Sequence, residues 1–255
     1  MTIKYYNEYD FKLAIAKGHV QEHINLHKFG RNPSCALNSP EAIWNGGDVY
    51  TGHNAVAAEI LTIVSSSGND DVGGTGALTV RLFGLDANWE PLVEDVILTG
   101  AVPVDTVNAF IRMDRARVLT AGTGTKNAGT ITAAQKVTTA NVMMVMPIGY
   151  NSTMIAAWTI PAGYRGFFTG WTASLSGGNT GNATVRLLAR PEGQTFQVQE
   201  ELSIVAAGTS SFERVYVTPK GAYDEKTDIF VEATAGSNGV GVAASFDMLI
   251  VKEGF

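Results

Sequence analysis

The chain has a single cysteine, Cys35, among 255 residues, so no disulfide can form within it. Cys35 reads as a small buried or half-buried side chain rather than a nucleophile. Charge is also scarce. Asp, Glu, Lys and Arg make up 16% of the chain, against about 25% in an average soluble protein. Acidic residues outnumber basic ones, 24 to 18, for a formal net charge of −6. Basic residues such as Lys126 and Lys136 are scattered and no run of three occurs. That argues against the clustered basic face of a nucleic-acid binder. No stretch approaches the roughly 18 apolar residues of a membrane helix. The opening Met1-Thr2-Ile3-Lys4-Tyr5-Tyr6-Asn7 turns polar before an apolar core region forms, so no secretory signal is read. The expectation is a protein made in a cytoplasm, with neither nucleic acid nor membrane as partner. Low charge density suits a surface that is partly buried against neighbours.

What is abundant is glycine, 28 residues, alongside Thr, Ala and Val, a mix that favours strands and tight turns. The chain also repeats itself. Gly73-Gly74-Thr75-Gly76-Ala77-Leu78-Thr79-Val80-Arg81-Leu82 returns 105 positions later as Gly178-Asn179-Thr180-Gly181-Asn182-Ala183-Thr184-Val185-Arg186-Leu187, with seven of ten positions identical. Each copy reads as a glycine turn feeding an alternating strand. Further echoes follow in order: Glu94-Asp95 with Glu200-Glu201, and Arg115 to Thr120 with Asp228 to Thr234. Strands at this spacing predict antiparallel sandwiches, closed as a jelly roll or Greek key. The expected fold is all-β: two tandem jelly-roll-like modules, residues 49–146 and 147–255, behind an N-terminal arm of residues 1–48.

The arm has a different texture. Phe11, Leu13 and Ile15 alternate with Lys12, Ala14 and Ala16, which predicts a short strand. Ser39 and Pro40 predict the N-cap and first residue of a short helical turn running to Trp44. The arm has little core of its own, so it should lie along its own module or a neighbouring subunit. Its aromatics Tyr5, Tyr6, Tyr9, Phe11 and Trp44 are candidate interface residues.

No catalytic constellation is read. His19, His23 and His27 would share one face of a helix and could bind a metal there. Gly18 and the aperiodic Val20, Ile24 and Phe29 argue against that helix, so a surface or interface role is expected and no metal site. Asn69-Asp70-Asp71 and Asp86-Ala87-Asn88 offer oxygens for calcium, but turns use the same residues. The glycine strings lack a Gly-Lys-Ser/Thr ending and precede strands, so they read as hairpin turns rather than phosphate loops. Arg81 and Arg186, at equivalent repeat positions, are predicted to pair across strands with the neighbouring acidic residues. Trp158 and Trp171 sit in predicted strands and read as core. Trp89, in a turn, is the candidate platform for a sugar. No catalytic, cofactor-binding or metal residues are assigned, and no cofactor.

Several segments together resemble a family of structural proteins of tailed bacteriophages. They include Trp44-Asn45-Gly46-Gly47-Asp48-Val49-Tyr50, Ile63 to Asp70, Gly74 to Asp86, Ala121 to Ile131, Thr159-Ile160-Pro161-Ala162-Gly163 and Ala243 to Val251. The resemblance spans nearly the whole chain and implies a non-enzymatic virion component, assembled in the host bacterial cytoplasm. It supplies no catalytic residues to carry over. A capsid decoration or cement protein is the first expectation, associating with itself and with the major capsid protein. The alternatives are a neck, collar or tail component that bases fibres, and a host-glycan-binding module.

Overall fold

The computed structural model describes residues 8–176, 181–205 and 210–254. The elements in the N-terminal half are α1 (Glu8–Ala16), β1 (His23–Asn32), β2 (Pro40–Ala42), a 3-10 turn (Thr51–Asn54), β3 (Glu59–Ser65), β4 (Ala77–Leu85), β5 (Pro91–Ile97), β6 (Val104–Phe110) and β7 (Arg112–Ala121). They continue with β8 (Ile131–Gln135), β9 (Val142–Met146), β10 (Ala157–Thr159), β11 (Tyr164–Ser176), β12 (Asn182–Arg190), β13 (Gln197–Val205), β14 (Ser210–Tyr223), β15 (Asp228–Ala235) and β16 (Gly241–Lys252). The fold is all-β, and among the described residues every pairing between named strands is antiparallel.

Four sheets form. Sheet I runs β1-β16-β11-β14, and sheet II runs β10-β15-β12-β13 with β2 also on β15. Sheet III runs β6-β3-β8-β9, and sheet IV runs β5-β4-β7. Phe168, Trp171 and Phe246 from sheet I meet Val185, Leu187 and Val231 from sheet II in one core. Leu61, Ile63 and Ile131 from sheet III meet Val80, Leu82 and Ala116 from sheet IV in another. Alternation of apolar and polar residues along each strand puts one face of each sheet into these cores.

The second sandwich is a jelly roll. Its pairings are β1 with β16, β2 with β15, β11 with β14, and β12 with β13. Taken from the outside in, that is one long antiparallel hairpin rolled into two sheets, the eight-strand arrangement of two Greek keys. The first sandwich lies in the connection between the second and third strands of this roll. It follows the same order. β3 pairs β6 and β8 as β11 pairs β14 and β16, and β4 pairs β5 and β7 as β12 pairs β13 and β15. Two slots differ: β9 lies on β8 where β1 lies on β16, and β15 carries β10 and β2 where β7 has, among the described residues, no named strand on that edge.

The N-terminal segment differs from its sequence reading in three ways. It is not a separate arm, because β1 and β2 are the first two strands of the second sandwich. Residues 11–16 are helical, not a strand. Phe11, Ala14 and Ile15 recur at helical spacing on the less exposed side, a pattern that period-2 counting in so short a run cannot separate from a strand. Pro40 begins an edge strand rather than a helix. Edge positions tolerate proline because no ladder N–H is required there. Gly30 of β1 has a structural reason: a Cβ there would overlap the Ile43 carbonyl and the Ala156 amide.

Candidate functional site at the junction of the sandwiches

The two sandwiches meet through buried charge. Asp228 opens β15 and Arg112 opens β7, and both side chains are almost sealed from solvent, at 3% and 6% exposure. Arg112 donates to Asp228 from Nε at 2.8 Å and from Nη2 at 3.0 Å, a two-pronged pairing that fixes geometry as well as charge. Arg190 of β12 adds donation from Nη2 at 2.6 Å, and the Thr159 hydroxyl donates at 2.6 Å. Arg112 also donates from Nη1 to the carbonyls of Ala55 and Ile111, 2.8 Å each. Its guanidinium lies 4.7 Å from the centre of the Trp89 ring. Arg190 stacks over Phe196 at 4.3 Å and donates to the His53 carbonyl.

Burial opposes ionisation of Asp228, but His53, the Arg112 guanidinium and the Thr159 hydroxyl together hold its carboxyl well below the usual range. His53, on the 3-10 turn, sits with Nε2 3.9 Å from Asp228. Burial pushes His53 down to about 4 despite the Asp228 charge, so above that its ring is neutral. Its ring meets Tyr50 and Phe230 edge-on, at 5.0 and 5.7 Å.

A second contact crosses the junction beside the first. Lys28 of β1 is buried and donates from Nζ to the Asp114 carbonyl of β7. Burial lowers Lys28 to about 8 and raises Asp114 to about 6. Asp114 Oδ1 is sealed and has no hydrogen-bond partner.

The two titrating groups act in opposite directions. An unfolded chain protonates His53 near 6.5, the folded one near 4, so acid between those values favours unfolding by up to about 3 kcal/mol. Asp114 binds its proton near 6 when folded and near 3.8 when unfolded, so acid over that range favours folding by a similar amount. The contributions of His53 and Asp114 therefore offset each other across this window. A His53→Phe variant should become more stable as pH falls and an Asp114→Asn variant less stable. Melting temperatures across the window check this, and parallel curves for the two variants would refute it. The other charges facing His53 are Arg112, Arg190, Lys28 and Asp228.

The chemistry is that of a lock. Both Asp228 oxygens are occupied by donors, and among the described residues no Ser, Thr or Cys side chain hydrogen-bonds a histidine. Among those residues, too, no group of three His, Cys, Asp or Glu could hold a metal. His19, His23 and His27 share no helix face: His23 and His27 lie on β1, and His27 bonds Asp247 at 2.7 Å.

The other sequence candidates are dispersed. Trp89 is 8% exposed with one face beneath Arg112. It is not an open sugar platform, because the turn folds it inward, at a positive φ of 63°. Trp44 is not an interface residue. It is 4% exposed, donates to the Gly47 carbonyl at 2.7 Å and packs against Tyr50. Tyr9 lies on α1, and Tyr5 and Tyr6 lie outside the described residues. Phe11 stands edge-on to His23 at 6.0 Å. With Ile15 it walls a groove of about 450 Å³ over the outer face of sheet I, whose far wall is Val215 and Val217.

Asp70 and Asp86 hold turns. Asp70 accepts from Ser65, Ala77, Ala128 and Gly129 at 2.6–2.8 Å, and Asp86 accepts from the amides of Asn88 and Glu90. The predicted cross-strand pairs form: Arg81 with Asp95, and Arg186 with Glu201, each at 2.6 Å. The junction itself was not read from the sequence. The ladder registers shift the repeat alignment read from the sequence, matching Asp228 with Arg112 rather than with Arg115. Arg112 faces Leu85 across the ladder and Asp228 faces Arg190, so they occupy the same repeat position with opposite charge.

No protein-family model matches the chain, and no curated protein matches it. Among solved structures, it is similar to the empty top-component particle of cowpea mosaic virus at 7% identity, over 78% of this chain and 82% of that one, with a TM-score of 0.21. A structure of infectious bursal disease virus, Gx strain, matches at 10% identity over 92% and 73%, with a TM-score of 0.27. Scores this low carry no argument, and the all-β assignment rests on the strand pairings.

Proposed function

We propose that the chain is a non-enzymatic structural component of a tailed-phage virion, coating the head as a decoration or cement protein. The observation that carries this reading is the strand order: an eight-strand jelly roll with a second sandwich of like order built into it. Jelly rolls serve as viral shell and lectin domains. The fold alone does not choose between these. Against the lectin reading, Trp89 is folded under Arg112. For the virion reading stands the family resemblance of the sequence. The buried ionic junction adds support, since it ties the two sandwiches to each other. Exposed valines along β14, Val215 at 63% and Val217 at 87%, offer apolar area to a neighbouring copy or to the major capsid protein.

Quantitative mass spectrometry of purified particles, scaled to the major capsid protein, tests the placement. Copies on the order of hundreds per particle are expected for a symmetric shell coat. Roughly a dozen or fewer would instead mark a ring at the neck or tail. Absence from the particle would remove the virion reading.

A further inference from the structure

The duplication lets each exposed position of one sandwich be compared with its counterpart in the other. Arg81 faces Asp95 on one side and Arg117 on the other. Its counterpart Arg186 faces Glu201 and Glu232. Counterparts of opposite charge, Arg112 and Asp228, already join the two sandwiches within the chain. Arg117 and Glu232 are a second counterpart pair of opposite charge, and they do not meet. Arg117 is exposed, has no carboxylate within ion-pair distance among the described residues, and lies over Phe83 at 5.2 Å. Glu232 lies 3.6 Å from Arg186 and keeps 17% of its side chain accessible.

The charge reversal extends over a face. The outer side of sheet IV sets Arg81, Arg115 and Arg117 against Asp95 alone, flanked by Val93 and Ile97 at 53% and 59% exposure. The outer side of sheet II sets Arg186 against two carboxylates, Glu201 and Glu232, flanked by Val198 and Val205 at 52% and 74%. One face is basic with an apolar margin, and the other is acidic with an apolar margin.

We propose that sheet IV of one copy docks on sheet II of a second copy, Arg117 against Glu232, so that copies associate head to tail. The contact is heterologous, closing into a ring or continuing as a row according to the rotation between copies. Opposite charge sets orientation and encounter rate, and the exposed valines and isoleucine contribute apolar area. This deepens the virion reading by naming the surfaces of self-association.

Sedimentation of the purified full chain tests it. Wild type is expected to associate at low salt and to dissociate at high salt, where exposed charges are screened. Arg117→Glu and Glu232→Arg should each weaken association by about tenfold or more, and the double variant should restore most of it. Arg117 is exposed, so its variant should melt as wild type does. If Glu232→Arg fails to fold, Glu201→Lys, at a side chain 50% exposed, serves in its place. A monomer at every concentration overturns the proposal, as does association unchanged by both single variants. Either result leaves the particle copy number free to support or sink the virion reading separately.

Discussion

Asp228→Ala should lower the unfolding free energy by about 3–5 kcal/mol, the cost of stranding a buried charge. Arg112 would keep its place between Trp89 and the Ala55 carbonyl with no carboxylate to answer it. Arg190 has an escape, since 21% of its side chain is exposed and its stem can carry the head to water. The loss therefore comes mostly from Arg112. A double variant, Arg112→Met with Asp228→Leu, separates two meanings of that number. Replacing a buried ion pair whole by apolar residues is often neutral or stabilising. The double variant should recover most of the melting temperature lost in Asp228→Ala. If it is as unstable as the single variant, the pair stabilises through its hydrogen bonds to the surrounding carbonyls rather than through charge balance. Urea unfolding measures both.

Deleting residues 1–42 should abolish the second sandwich. β1 pairs with β16 over ten residues, and β2 supplies backbone partners to β15. Removing both opens an edge on each sheet and takes Leu26 and Cys35 away from the core. A domain's whole stability is only about 5–15 kcal/mol, less than this loss of ladder and apolar contact. The truncated chain is expected to be insoluble, or to show one unfolding transition where the intact chain shows more amplitude. A detachable arm would give the opposite result, with near wild-type melting after deletion. Circular dichroism with thermal melting distinguishes the two.

The sequence showed the sheets better than it showed their connections. β4 and β12 were legible because the repeat and the alternation of Val80, Leu82, Val185 and Leu187 agree. β1 was not, because the residues it turns inward are Leu26, Lys28, Gly30 and Asn32. Three of these four are polar or bare, so no apolar period marks the strand. Lys28 faces the junction and Gly30 lets another segment cross, both reasons that exist only in three dimensions. β9 was missed because Val142 to Met146 is too short a run to be told from a loop margin. Likewise Trp89 reads as exposed in a turn, and only the fold brings Arg112 over it. The Arg81–Asp95 pairing needed only adjacent strands and a register, and local pattern supplied both.

One strand slot bears on how such a chain could have arisen. In the second sandwich the strand beside β16 comes from the N-terminal side of the sequence, and in the first the matching strand beside β8 comes from the C-terminal side. The Lys252 amide bonds the Glu22 carbonyl at 2.9 Å, so the end of β16 and the start of β1 lie together. A short loop there would make β1 the hairpin partner of β16, as β9 already is of β8. Apart from β2 and β10, the strand orders of the two sandwiches thus differ by a circular permutation, with this slot occupied in both and only its covalent source different.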